Sequence, residues 1–553
     1  MSGHSRSLLA PLSIAAVLLC IFQAYAQQVS ADTSSSESVV LGTIDGSSIL
    51  DDMMALENIA SSNFASRSAG SRGANESADW ILERFGSMGL SARKEGFVFP
   101  AWDLRSEPKM VLDADGNFSS TGDQLEVKSF GCEQWSKPTP AGGVNGTICV
   151  LPLPEANYGD LGSTPINWTA WNGIDTTGKI LVIGREVRWA SDWESTFAYK
   201  IYAQRPAAIV YVWWYEWMAP LDVMFESSTG GAPIGLTPYL WNYGIPVGGV
   251  NYSEGRGLLA SAGVAAQVRI DSVESVGEQF NVVASLPGAR EPSKIVLVTA
   301  HYDSVLTNGF CDNAGGVAAT LAIAKALSSA VSNHSYVPRF TTTFVAFTGE
   351  ELGFVGSLNY VRMHQDQLGS IVAMLNLDCV GGENLVVSRT EPHDGLDLDE
   401  VLVEAASDLG IATAIDEPAG SDQVAFLDPF GASWTYTNTW GRDPEVGASN
   451  VPESSGLASG PIMYQGIWVG EPYGMIHTDG DSGDPSLGAG WMSLVHLTEQ
   501  TRVGVLGVLR LTAAGSDGQV SGIDPTLLMA VLGVGVLAAV AVVGWRVRGR
   551  GRR

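Results

Sequence analysis

Short apolar runs rich in Val, Ile, Leu and Phe alternate along this chain with longer segments whose apolar positions recur every three or four residues. The runs Phe280–Leu286, Lys294–Ala300, Thr341–Phe347 and Ile371–Leu377 read as strands. Between and after them, Gly315–Ala330, Gly353–Met363, Leu398–Leu409 and Trp491–Leu511 read as helices. Strands that alternate with helices predict an α/β unit with a mostly parallel, mixed sheet flanked by helices. Near the start, Ile49–Ala60 reads as a helix. Asn75–Leu90 is a clearer one, with Ala78, Ile81, Leu82, Phe85 and Met88 on one face and Gly89 as its stop. Phe97–Phe99 follows as a short strand. These early elements, residues 49–120, are assigned to the same unit as residues 271–513. Between them, in 121–270, Pro, Gly and Trp are frequent and strands are short: Gly146–Leu151, Lys179–Ile183, Ala207–Trp213 and Ile245–Val250. Helices are expected at Phe197–Arg205 and Glu254–Ala262, which makes this stretch a β-rich insertion. Ser433–Gly466, full of Gly, Pro, Ser and aromatic residues, reads as long surface loops.

The two ends carry a different pattern. Met1–Ala26 has one charge, Arg6, then the apolar run Leu8–Phe22 and an Ala24-Tyr25-Ala26 cleavage signal. This is the layout of a secretory leader. A polar, Ser-rich lead-in covers 27–48. At the far end a Gly/Ser/Asp linker, 514–526, precedes Leu527–Trp545, which is long enough and uncharged enough to span a bilayer. The arginine-rich tail 546–553 follows, and the positive-inside rule keeps it cytoplasmic with the main body outside. Six Asn-x-Ser/Thr sequons, at Asn75, Asn117, Asn145, Asn167, Asn251 and Asn333, fit an exported chain. Cys132 and Cys149 are close enough in sequence for a local disulfide. Cys311 and Cys379 each adjoin a candidate ligand, and pairing or simple packing in the core both remain open for them, with packing favoured. The formal net charge of −28 over 553 residues argues against nucleic acid as a partner. The hydrophobic content of 45% allows a large core.

Chemistry concentrates where the strands stop. His301-Tyr302-Asp303 follows the first parallel run, Glu350-Glu351 the second, and Asp378 the third, while Asp312-Asn313-Ala314-Gly315-Gly316 opens a helix between them. In an open α/β sheet the crevice at the carboxyl ends of the strands is where ligands bind, so these groups converge. Asp303, two residues after His301, is placed to hold the second imidazole nitrogen. Taken singly, Asp312 reads as a helix N-cap, Glu350-Glu351 as a solvated turn and Asp378 as a buried acid with backbone donors. Taken together, five carboxylates in one crevice would force protonation or unfold the site. Two divalent cations resolve that repulsion, so the residues read as a two-metal hydrolase site. His477, in His477-Thr478-Asp479-Gly480-Asp481, is a second imidazole in an acidic context.

These motifs, in this order, resemble the co-catalytic zinc exopeptidases, the family of aminopeptidase Y, bacterial leucyl aminopeptidases and glutamate carboxypeptidases. Arg67-Ser68-Ala69-Gly70-Ser71 and the helix after it resemble the family's opening. The resemblance implies two Zn²⁺ per chain, with Asp312 bridging them. His301 and Asp378 complete one zinc, and Glu351 and His477 the other. It implies Glu350 as the general base toward the attacking water, Asp303 as the residue that orients His301, and a cis peptide after Asp312. The insertion, with its Gly178-Lys179-Ile180-Leu181-Val182-Ile183-Gly184-Arg185 run and the later Ile245-Pro246 segment, resembles a protease-associated domain. Ser421-Asp422-Gln423 departs from the family's Ser-Asp-His or Ser-Asp-Tyr, and with Ser433–Gly466 it is expected to shape the substrate pocket. The expectation is therefore a membrane-tethered metalloaminopeptidase acting on peptides outside the cytoplasm. The alternatives are a carboxypeptidase of the same family, a receptor-like binding module on this fold, and glutaminyl cyclisation, with oligomeric state left open.

Overall fold

The computed structural model describes residues 37–513 apart from 65, 119–123, 135, 152–171, 185–203, 213–243, 383–384, 389–397, 417–420, 428–453, 460–480 and 484–492. The leader, the start of the lead-in, residues 197–203 of the helix expected at Phe197–Arg205, Asn167, His477, and everything from residue 514, including the span and the arginine tail, lie outside the described residues.

Helix α1 (Gly46–Ser62) starts where the Asp45 carboxylate accepts the Ser47 N–H, and α2 (Arg72–Ser87) where the Ser71 hydroxyl accepts the Ala74 N–H. Ala74, Ala78, Ile81 and Phe85 of α2 are buried, as the periodicity predicts. Strand β1 (Ser91–Leu104) follows, much longer than the three residues expected. The chain then leaves this sheet. It forms β2 (Lys109–Asp113), β3 (Gln124–Glu126), β4 (Gly131–Cys132), β5 (Val144–Val150), β6 (Ile180–Gly184), β7 (Ala208–Val212), β8 (Val247–Val250), helix α3 (Tyr252–Leu259) and β9 (Ala265–Arg269). These strands build a second sheet in the order β3-β2-β9-β5-β6-β7-β8-β4. The chain returns in β10 (Ser272–Leu286), which pairs antiparallel with β1 along its whole length, Ser91 opposite Ser285 through Leu104 opposite Ser272.

The expected Cys132–Cys149 disulfide is contradicted: both cysteines are free. Cys132 ends β4 and Cys149 lies in β5, with β6, β7 and β8 between those strands. Four interstrand steps separate them by about 19 Å, far beyond the span a disulfide bridges.

The main sheet continues with β11 (Glu291–His301), α4 (Gly316–Ser332), β12 (Phe340–Phe347), α5 (Val355–Met363) and β13 (Ile371–Asp378). It ends with β14 (Leu385–Ser388), α6 (Leu398–Asp408), β15 (Thr413–Asp416), the short α7 (Val424–Leu427), β16 (Ser454–Ser459) and α8 (Leu494–Thr512). The strand order is β1-β10-β12-β11-β13-β16-β14-β15. The β12, β11, β13 and β16 neighbours are parallel, and so are β14 and β15, while the remaining pairings are antiparallel. Both faces of the parallel strands are covered, which explains their near-continuous apolar sequences. Val296, Val298, Phe344 and Leu375 face one core with α1, α2 and α4, while Leu297, Val345 and Met374 face another with Tyr360 and Phe426.

One expectation changes here. The surface-loop reading of Ser433–Gly466 fails at β16, which lies between β13 and β14 inside the sheet. Its sequence, Ser-Ser-Gly-Leu-Ala-Ser, has no β-branched or aromatic residue to announce a strand. Among the described residues, the one helix long and apolar enough to cross a membrane is Phe310–Ser332, and 78% of its apolar window is buried, so it serves as a core helix.

Candidate metal centre

The chain runs from β11 through α4 to β12 on one side of β11, then through α5 to β13 on the other side. The crevice therefore opens at the carboxyl end of β11, at the point where the strand order reverses. His301 is the last residue of β11, Glu350 and Glu351 follow the turn after β12, and Asp378 is the last residue of β13.

His301 is buried, with its Nε2 3.1 Å from Asp312 Oδ1 and 3.3 Å from Asp378 Oδ1. Its Nδ1 lies 3.1 Å from the Asp303 carbonyl oxygen and 3.5 Å from the Asp303 carboxylate. The main chain of Asp303 thus holds the ring more closely than its side chain does. The Asp303 carboxylate accepts instead the Glu350 N–H at 3.2 Å, which ties the β11 end to the turn after β12. Ligand atoms of His301, Asp312 and Glu351 lie within 4.8 Å of one another, and so do those of Asp312, Asp378 and Cys379. Asp312 is common to both groups.

Asp312 is not the helix cap. The Asn313 side chain does that work: its Oδ1 accepts the Gly316 N–H at 2.9 Å and its Nδ2 donates to Leu377 O at 2.9 Å. A Cβ on Gly316 would stand 2.2 Å from Leu377 O, so the start of α4 approaches the end of β13 only because that residue is glycine. The Asp312–Asn313 peptide is cis, as the resemblance implied.

Three charged residues that the sequence reading did not place in the site bear on it. Asp481, buried, accepts the Cys311 N–H at 2.6 Å and the Asp312 N–H at 3.1 Å. Arg67, fully buried, donates to the carbonyls of Tyr302 at 3.0 Å and Gly309 at 2.9 Å, and also to that of Asn308. Glu57 of α1 accepts the Gly483 N–H at 2.8 Å and an Asn308 amide hydrogen at 3.2 Å. The signals available were the Arg-Ser-Ala-Gly-Ser stretch for Arg67 and the second aspartate after His477 for Asp481. Gln423, expected to shape the pocket, is buried and accepts from Asn376 of β13 at 2.9 Å. Its first role is to fasten that loop to the sheet. Ser421 accepts from the same Asn376 amide group at 2.9 Å.

The electrostatics call for cations. Burial pushes the Glu350 carboxyl well above the ordinary range; His301 opposes this, and Glu351, Asp378 and Asp422 add to it. Burial drives Asp422 up to about 7, against the pull of His301. Burial and Asp312 drive Asp481 up to about 7. Burial alone would lower His301, yet Asp378 and Glu350 push it well above its usual value. One Asp303 oxygen is buried without a hydrogen-bond donor among the described residues. An imidazole facing two carboxylates, with further buried acids around it, is a donor set that fits divalent metal.

Of the candidate glycosylation sites described, Asn117, Asn145 and Asn333 are exposed. Asn75 and Asn251 are half-buried, Asn75 bonding Ser71 O and Asn251 capping α3.

Comparison with known proteins agrees with this geometry. The profile described as Peptidase family M28 matches residues 281–439. A probable zinc metalloprotease of Pyrenophora teres f. teres is 33% identical over 169 residues, which is 28% of this chain and 35% of that protein. The chain thus matches only about a third of that relative's length. A probable lipoprotein aminopeptidase, LpqL, of Mycobacterium tuberculosis is 26% identical over 474 residues, 84% of this chain and 83% of the relative. In fold, the chain is similar to the zinc aminopeptidase BSAP of Bacillus subtilis, with a TM-score of 0.56 at 20% identity, over 86% of this chain and 97% of that one. The stretch similar to peptidase family M28, 281–439, contains the carboxyl ends of β11, β12 and β13 and the candidate ligands His301, Asp312, Glu351 and Asp378.

Proposed function

We propose that this protein is a two-metal aminopeptidase that removes N-terminal residues from peptides. The observation that carries the proposal is the convergence of His301, Asp312, Glu351 and Asp378 at three adjacent strand ends, with Glu350 beside them. His301, Asp312 and Asp378 would hold one zinc, and Asp312, Glu351 and His477 the other. Bound there, the two ions would neutralise the acids, polarise a peptide carbonyl and make water a better nucleophile.

The residues do the rest. The Asp303 carbonyl accepts from His301 Nδ1 and so leaves Nε2 free to face the crevice. Glu350, whose main-chain N–H is fixed by Asp303, takes the proton of the attacking water and delivers it to the leaving amine. Its raised affinity for protons suits a group that must accept one and give it back. Asp481 and Asn313 hold the backbone on either side of Asp312, so the shared carboxylate stays between the two groups of ligands.

An acid-rich crevice suits a substrate's N-terminal ammonium. A carboxypeptidase needs a cation for the substrate carboxylate, but Arg67 is spent on three main-chain carbonyls and residues 416–470 contain one basic residue, Arg442. The names of relatives such as the lipoprotein aminopeptidase favour the same choice. The proposal extends to the ends of the chain. The leader at 1–26 exports the enzyme and the span at 527–545 tethers it with its catalytic unit outside the cytoplasm. The second sheet serves as an inserted protease-associated domain.

The test is a panel of peptides with free N-termini, blocked N-termini and blocked C-termini, run on wild type and on Glu350→Gln. Cleavage is expected to need the free amine. The variant is expected to lose at least 10²-fold in kcat while zinc content stays near two per chain. Equal cleavage of N-blocked peptides would exclude an aminopeptidase, and an active variant would exclude Glu350 as the base.

A further inference from the structure

Cys379 follows Asp378 directly, where β13 has ended. In an extended strand its side chain would point to the opposite face from Asp378. It does not, because Cys379 adopts φ 49°, a left-handed conformation that residues with a side chain seldom take. That turn brings its Sγ back to the ligand side, within 4.8 Å of carboxylate oxygens of both Asp312 and Asp378. The same two carboxylates are the ones His301 Nε2 faces at 3.1 and 3.3 Å. Two carboxylates and one sulfur thus form a compact donor group, and the imidazole faces both of its carboxylates. Zinc takes imidazole, carboxylate and thiolate donors of these kinds.

Two further observations bear on the sulfur. Cys311, next to Asp312, brings its thiol within hydrogen-bonding reach of the Cys379 thiol, so the Cys379 side chain has a fixed neighbour. Asp422, fully buried, interacts electrostatically with His301 and Asp378. Such a carboxylate at the edge of the group calls for a cation there.

We infer that Cys379 is a sulfur ligand of the metal held by His301, Asp312 and Asp378. The inference rests on the two-metal reading above. A thiolate donor adds charge and softness, so it favours zinc over harder cations and holds the ion more firmly. On loading, the thiol gives its proton to solvent.

Cobalt(II) in place of zinc reports on this directly. The full chain, stripped and reloaded with Co²⁺, is expected to show visible ligand-field bands and an intense near-ultraviolet sulfur-to-cobalt charge-transfer band. Cys311→Ser should keep the charge-transfer band. Cys379→Ser should lose it, retain the ligand-field bands, and bind the ion more weakly by roughly ten- to a hundredfold. Ligand-field bands without charge transfer in the wild type would overturn the sulfur ligand and leave the metal site standing. Persistence of the band in Cys379→Ser would also overturn it. Failure of the wild type to bind cobalt at all would overturn both readings. Should Cys379→Ser not fold, zinc X-ray absorption on the wild type decides: a sulfur scatterer at about 2.3 Å supports the assignment, and a shell of nitrogen and oxygen alone overturns it.

Discussion

Asp481 shows how much of this site is set by residues that need not touch a metal. Its carboxylate accepts two successive main-chain N–H groups, those of Cys311 and Asp312, and so fixes the peptide plane from which the shared ligand projects. Asp481→Asn keeps the size but replaces one acceptor oxygen with an NH₂ that faces an N–H donor. Groups that orient ligands in this way are worth roughly ten- to a hundredfold in metal affinity. The variant is therefore expected to lose that much affinity in a competitive chelator titration, with its circular dichroism unchanged. Wild-type affinity in the variant would mean that the backbone at 311–312 needs no such tether. The sequence could not single Asp481 out, because Asp479 and Asp481 flank Gly480 in one acidic stretch and nothing in it says which is buried. Asp378 was legible for the opposite reason: it ends the apolar run Ile371–Leu377, and an acid at that place has one direction to point. Arg67 was noticed as part of a motif, but its bonds to Tyr302, Asn308 and Gly309 depend on contacts distant in sequence.

At the scale of elements, the strands carrying ligands were readable because burial on both faces demands long apolar runs. β16 was not, because Ser454–Ser459 is small and polar and owes its place to the ladders offered by β13 and β14. That dependence makes β16 testable. Leu457 pairs with Leu377 on one side and Val387 on the other. Leu457→Pro removes a donor from a central strand, and a cost of about 3 kcal/mol or more is expected. Since Asp378 lies one residue beyond Leu377, zinc content should fall together with the denaturation midpoint. A variant with normal zinc content and normal stability would remove β16 from the sheet. A second contact between elements carries a pH dependence. Glu95 of β1 lies 2.9 Å from His364 Nε2, just past α5, and also pairs with Arg93. Burial raises the Glu95 pKa, but the bonds to His364 and Arg93 outweigh it and hold the group below its ordinary value. A carboxyl whose folded pKa is depressed stabilises the fold above its unfolded pKa and loses that contribution as pH falls through the folded one. Glu95→Gln is therefore expected to cost about 2 kcal/mol at neutral pH, with the gap to wild type narrowing below about pH 4.3. Urea midpoints measured across that range check it, and a gap constant with pH would rule out the charge as its source.

For the whole molecule, the decisive quantity is charge. The chain carries −28 overall, and its crevice gathers Asp303, Asp312, Glu350, Glu351, Asp378, Asp422 and Asp481, with Arg67 buried close enough to act on Asp481, Asp303 and Asp312. Even Arg67 is strained by this arrangement: burial lowers its pKa to about 10, despite the attraction of Asp481 and Asp303. Such a site is stable only if cations enter it or protons do. Metal binding and folding are then one equilibrium. A ligand present at about a hundred times its Kd stabilises by about 2.7 kcal/mol, which for a protein of this size is a shift of about 2–3 °C in Tm. Removing metal with a chelator is expected to lower Tm by that amount, to abolish hydrolysis, and to leave a protein that added salt or mild acid partly restabilises. Screening weakens the repulsion among the acids, and protonation removes it, so both should narrow the gap between the stripped and loaded forms. Zinc should restore Tm and activity together at about two ions per chain. If the stripped protein melts where the loaded one does, the acids of the crevice are compensated by the protein alone and need no metal.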